Sequence, residues 1–97
     1  MKPGKLLIVD DEKDIRNLMQ EIFAEEGYQV ETAANGTHAK QAWRQNLPDI
    51  MFLDVWMPDV DGISLLKEMQ QESLLEHTKV IMMSGHGTIE TAIEATK

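Results

Sequence analysis

Three short runs of consecutive apolar residues punctuate an otherwise mixed chain: Leu6–Val9, Ile50–Leu53 and Val80–Met83. Runs of this length without alternation predict strands buried on both faces, as in a parallel sheet. Between the first two runs the apolar period lengthens. Ile15, Leu18, Met19, Ile22 and Phe23 fall at helical spacing with charges between them, and Gly27 follows as a stop signal. Tyr28, Val30 and Thr32 then alternate with Gln29, Glu31 and Ala33, a weaker pattern that suits an edge strand. Asn35-Gly36 signals a turn into a second helix, whose inward residues are Ala39, Ala42 and Trp43. Leu47-Pro48 closes that helix, because a residue before proline avoids the helical region. A third helix starts near Gly62 and carries Ile63, Leu65, Leu66 and Met69; a fourth, after the loop Ser84–Thr88, carries Ile89, Ala92, Ile93 and Thr96. Strand and helix alternate along the whole chain. That rhythm predicts an α/β fold with a doubly wound parallel sheet and helices on both faces.

Composition narrows the picture. The 97 residues make one domain, 1–97. The net charge of −8, from 17 acidic and 9 basic residues, sets the chain against phosphate backbones, so direct nucleic-acid contact is not expected. Cysteine is absent, which excludes disulfides and thiolate chemistry. The apolar runs are too short for a membrane span, and Met1–Lys5 leads into a strand, not a signal peptide. A cytoplasmic protein without membrane contact is the expectation. Neither glycine nor proline closes the fourth helix before Lys97, so the chain reads as cut, not finished.

The candidate chemistry lies at strand ends. Asp10 and Asp11 end the first strand and Asp54 ends the third. Open α/β sheets place ligand sites at that edge. If the two strands are neighbours, three carboxylates crowd together and raise one another's pKa unless a cation joins them. A hard divalent cation such as Mg²⁺ suits ligands that are all oxygen. Helix capping is the other reading of the pair, with Asp11 as N-cap and Asp14 at the third helical position; the two roles can coexist on different oxygens. His86 reads as a solvated loop residue, and His38 and His77 show no ligand spacing. The methionines read as core filling, Trp43 as core, and Trp56 as partly exposed beside the acids.

Ile8–Glu12, Phe52–Gly62 and Val80–Gly85 together resemble the receiver domain of two-component response regulators. The stretch from Met83 to Thr88 is most similar to receivers of the nitrogen-regulation, sigma-54 activator type. The resemblance implies a flavodoxin-like fold with strand order 2-1-3-4, and a phosphoacceptor role for Asp54, served by a sensor histidine kinase. It implies Mg²⁺ held by Asp11, Asp54 and the backbone carbonyl of Trp56, with Asp10 acting mainly through water. Ser84 corresponds to the hydroxyl that reads the phosphoryl group and switches the domain, and also fits an N-cap of the fourth helix. Met57-Pro58 and Asp61-Gly62 correspond to the loop that shapes the site. The output would be a C-terminal domain acting on transcription. No independent enzymatic turnover is expected.

The sequence departs from the family in one respect. The fifth strand and helix are missing, and with them the invariant lysine that binds the phosphoryl group. Lys97 is no substitute, since its helix runs away from the site and carries it roughly 15 Å off. Two expectations follow: impaired phosphorylation of this chain, and a homo-oligomer formed through the exposed fourth strand. A phosphorylation-independent interaction module on the same fold is the alternative function. A phosphatase of the haloacid dehalogenase kind would need a second acid where Trp56 stands, and a flavodoxin-like nucleotide binder would not begin its first loop with Asp10–Asp11–Glu12.

Overall fold

The computed structural model describes residues 4–57 and 59–83. Its elements are β1 (Lys5–Val9), α1 (Lys13–Glu25), β2 (Gln29–Ala33), α2 (Gly36–Gln45), β3 (Ile50–Asp54), α3 (Gly62–Gln71), a 3₁₀ turn (Leu74–Glu76) and β4 (Lys79–Met83). The four strands form one parallel sheet in the order β2-β1-β3-β4. The doubly wound α/β expectation and the 2-1-3-4 order therefore hold. The order reverses between β1 and β3, the place where open sheets of this kind form their ligand crevice.

The two central strands are the apolar runs that announced themselves in the sequence. Leu7, Val9, Met51 and Leu53, with Val80 and Met82 of β4, face α2 and α3. There they pack on Ala39, Trp43, Leu65, Leu66 and Met69, all nearly inaccessible to solvent. An ion pair of 2.8 Å between Lys40 and Glu68 ties the two helices at the rim. On the other face Phe52 meets Phe23 of α1 with ring centroids 5.1 Å apart, and Phe23 meets Tyr28 edge-on at 5.9 Å.

Some expectations change. α1 forms as predicted, but none of its residues is fully buried; Leu18 and Ile22 are 55% and 48% exposed. The helix lies over β1 and β2 and reaches β3 through Phe23, leaving those two side chains partly open to solvent. In β2 the buried residue is Ala33, facing α2, while Thr32 is exposed. Ile63 stands on the outer side of α3, 37% exposed. The 3₁₀ turn was not anticipated; it follows Ser73, whose positive φ of 60° turns the chain back toward β4. The fourth helix, Ser84, His86 and Lys97 lie outside the described residues.

Candidate functional site

β1 and β3 pair in register from Leu6↔Ile50 to Val9↔Leu53, so the next residues on each strand, Asp10 and Asp54, emerge level with one another. Register thus does what the sequence could only suppose. Oxygen atoms of Asp10, Asp11 and Asp54 lie within 4.8 Å of one another, the one such cluster among the described residues. Asp10 and Asp54 are buried; Asp11 is exposed at the mouth.

Backbone donors hold this cluster. The Asp10 N–H donates to the Ala33 carbonyl at 3.1 Å, and the Asp10 carboxylate accepts from the Glu12 N–H at 2.8 Å. The Arg16 guanidinium donates to the Asp10 carbonyl at 2.8 Å. The Asp54 carboxylate accepts from the Trp56 N–H at 3.2 Å. Beyond Asp54 the chain folds back tightly. The Val55 N–H donates to Met83 O and the Gly62 N–H to Val55 O, both at 2.8 Å. A Cβ at Gly62 would lie 2.2 Å from the Asp54 carbonyl oxygen, which explains glycine at that position.

The electrostatics follow from the crowding. Burial, reinforced by the charges of Asp10 and Asp11 and a hydrogen bond to Asp11, pushes the Asp54 carboxyl up to about 6, although the Trp56 N–H works the other way. Burial also raises Asp10, with the charge of Asp11 adding to the effect and the Glu12 N–H and Arg16 opposing it. Three clustered oxygens with unrelieved mutual repulsion are a donor set that a hard divalent cation fits. The capping reading of the pair is not realised. Glu12, in extended backbone, is the N-cap of α1 and makes no side-chain cap bond, and Asp14 is the second helical residue.

Trp56, two residues beyond Asp54, is 62% exposed, in keeping with the expectation of a partly exposed residue beside the acids. Ser84 lies outside the described residues. Three contributions escaped the sequence reading. Asp61 caps α3, accepting from Ser64 N at 2.8 Å and Ser64 Oγ at 3.1 Å; the aspartate three residues before a serine was a readable signal. Arg16 gave no signal, because its partner is a backbone carbonyl. Asp59 gave none either. Its carboxylate accepts from Gly36 N (2.9 Å), Thr37 N (3.1 Å), Thr37 Oγ1 (3.0 Å) and Val60 N (2.8 Å). Those donors, the Gly36 N–H first among them, pull Asp59 down to about 2.

Comparison with known proteins agrees with this geometry. A family model described as response regulator receiver domain matches residues 6–97. The chain is 44% identical over 96 residues to the nitrogen assimilation regulatory protein NtrX of Azorhizobium caulinodans, covering 95% of this chain and 20% of that protein. It is 41% identical over 95 residues to sporulation initiation phosphotransferase F of Bacillus subtilis, covering 98% of this chain and 75% of that one. Among solved structures, the receiver domain of NtrX from Brucella abortus superposes with a TM-score of 0.81 at 41% identity, over 93% of this chain and 75% of that one. The chain thus spans about a fifth of the NtrX-length relative it matches.

Proposed function

The chain belongs to the response regulator receiver domain family, and from that premise we propose that Asp54 accepts a phosphoryl group from a sensor histidine kinase. The reading rests on one observation: two neighbouring strands deliver Asp10, Asp11 and Asp54 to a common point. Asp11, Asp54 and the Trp56 carbonyl would hold Mg²⁺, with Asp10 acting through water. The ion supplies positive charge for the phosphoryl oxygens, which a loose transition state needs more than it needs covalent help. The Asp54 carboxylate presents the attacking oxygen. With its carboxyl raised to about 6, it is ionised at neutral pH and poorly compensated without a cation. Ser84 would read the phosphoryl oxygens and pass the switch to an output domain acting on transcription, as the similarity to NtrX suggests.

The domain acts as a phosphoacceptor in the cytoplasm, without turnover of its own and without touching nucleic acid. Among the described residues β4 pairs only with β3, and Ile81 on it is 38% exposed, which favours association with a second copy along that edge. Calorimetric titration with Mg²⁺, followed by incubation with a small phosphodonor and intact-mass measurement, tests the assignment. Asp54→Asn should abolish phosphoryl addition and weaken the ion strongly. Undiminished Mg²⁺ binding by that variant would overturn the reading.

A further inference from the structure

The segment between β3 and α3 does more than follow Asp54. Its last residue, Asp61, serves the helix that begins beside it. Asp59 instead reaches back to the amino end of α2, whose first residue lies 23 positions earlier in the chain. The first turn of α2 leaves three N–H groups to be satisfied, at Gly36, Thr37 and His38, once Ala39 N has bonded Asn35 O. Asn35, the helix's own N-cap, takes His38 through its side chain at 2.9 Å. Asp59 takes the other two, and the Thr37 hydroxyl as well. Val60 seals the contact; a Cβ at Gly36 would lie 3.2 Å from its Cβ. The start of α2 is therefore tied to Asp59 and Val60, close in sequence to Trp56.

We propose that Asp59 is a positioning residue: by gripping the first turn of α2 it anchors the approach to α3 at Asp59–Asp61, and so restrains the Trp56 carbonyl beside the Asp54 site. The ion-binding half of this inference rests on the Mg²⁺ reading above; the mechanical half does not. Loss of an outer residue that orients a metal's ligands typically weakens the ion by about tenfold or more. Coupling of this kind is reciprocal, so an ion that gains from the grip also tightens the first turn of α2. An ionised carboxylate at the positive end of a helix suits the task, and the low pKa of Asp59 keeps it ionised.

Amide hydrogen exchange by NMR and Mg²⁺ titration on Asp59→Ala, Asp59→Asn and Asn35→Ala decide the matter. Asn35→Ala removes a cap from the same helix without touching the segment. Asp59→Ala should speed exchange at Gly36 and Thr37 and also at Gly62, whose N–H bonds Val55 O. It should weaken Mg²⁺ about tenfold. Asp59→Asn, which keeps one acceptor oxygen, should fall between it and the parent. Asn35→Ala should lower the melting temperature and speed exchange at His38, yet leave Gly62 exchange and Mg²⁺ affinity unchanged. The inference fails if Asp59→Ala leaves Gly62 at the parent rate, or if both alanine variants weaken Mg²⁺ equally. Absence of Mg²⁺ binding in the parent would overturn the metal reading, while the exchange arm would still decide the tether.

Discussion

Replacing Asp54 by asparagine should make the protein more stable at neutral pH, not less. The folded chain holds the Asp54 carboxyl at about 6 against an ordinary value of 3.8. Between these values the native state binds more protons than the unfolded one, so stability falls as pH rises through this window. Above it the full cost applies; below it both states are protonated and the cost vanishes. A shift of about two units corresponds to about 3 kcal/mol. Asp11 is exposed and its share is screened, which brings the expected gain for Asp54→Asn to about 2 kcal/mol. For a domain of this size that is roughly 10 °C in melting temperature. Asparagine keeps an oxygen for the Trp56 N–H, so the hydrogen bond is not lost with the charge. Urea denaturation of both proteins at pH 7.5 and pH 4.5, without divalent ions, measures the difference. The gain should be full at the higher pH and shrink to about a third of that at the lower, which still lies inside the window. Equal stabilities at pH 7.5, or a gain independent of pH, would refute the argument that burial, reinforced by the charges of Asp10 and Asp11, penalises the ionised Asp54 carboxylate. Asp59 and Asp61, both held low by backbone donors, act in the opposite sense, with their stabilisation lost as pH falls below the ordinary carboxylate range.

Millimolar Mg²⁺ should change the emission of Trp56 in the parent, since Trp43 is buried and silent to the site; no change in a Trp43→Phe background would count against the ion's placement. Gly62→Ala should cost about 3 kcal/mol by urea denaturation, because the added methyl has only backbone atoms to displace. Thr78→Val should cost about 1 kcal/mol, as it strips the buried hydroxyl that donates to Pro48 O at 2.7 Å and leaves that carbonyl short of a partner. Leu18→Gln should change stability by less than about 0.5 kcal/mol given its exposure, a value that denaturation curves resolve. Sedimentation of the parent over a concentration series should reveal self-association; a monomer throughout would remove the role proposed for the β4 edge.

The legible parts of the molecule were those written in local pattern. Ile50–Leu53 and Leu6–Val9 declared central strands because continuous apolar runs survive only where both faces are covered. The acids at their ends declared a site for the same reason. What stayed hidden depended on how elements sit over one another. Leu18 and Ile22 have perfect helical spacing, yet where α1 rests on the sheet decides how much of them is covered. Ala33 outranks Thr32 in burial because α2 covers that side of β2, which alternation alone cannot tell. Glu12 displaced Asp11 as the N-cap once Asp11 turned toward Asp54. Asp59 looked like one more acid in a loop; its partners on α2 are more than twenty residues away and carry no periodic trace.

The pairing of Val9 with Leu53 also partitions where the gene can change length. One residue inserted near Glu26 or Asn46, between elements, leaves the two central strands aligned. One residue gained or lost within Ile50–Asp54 slides a carboxylate by about 3.3 Å and turns it to the opposite side of the sheet. Indels should therefore be tolerated at the ends of the helices and lethal to signalling inside five residues of β3, however conservative the substitutions around them.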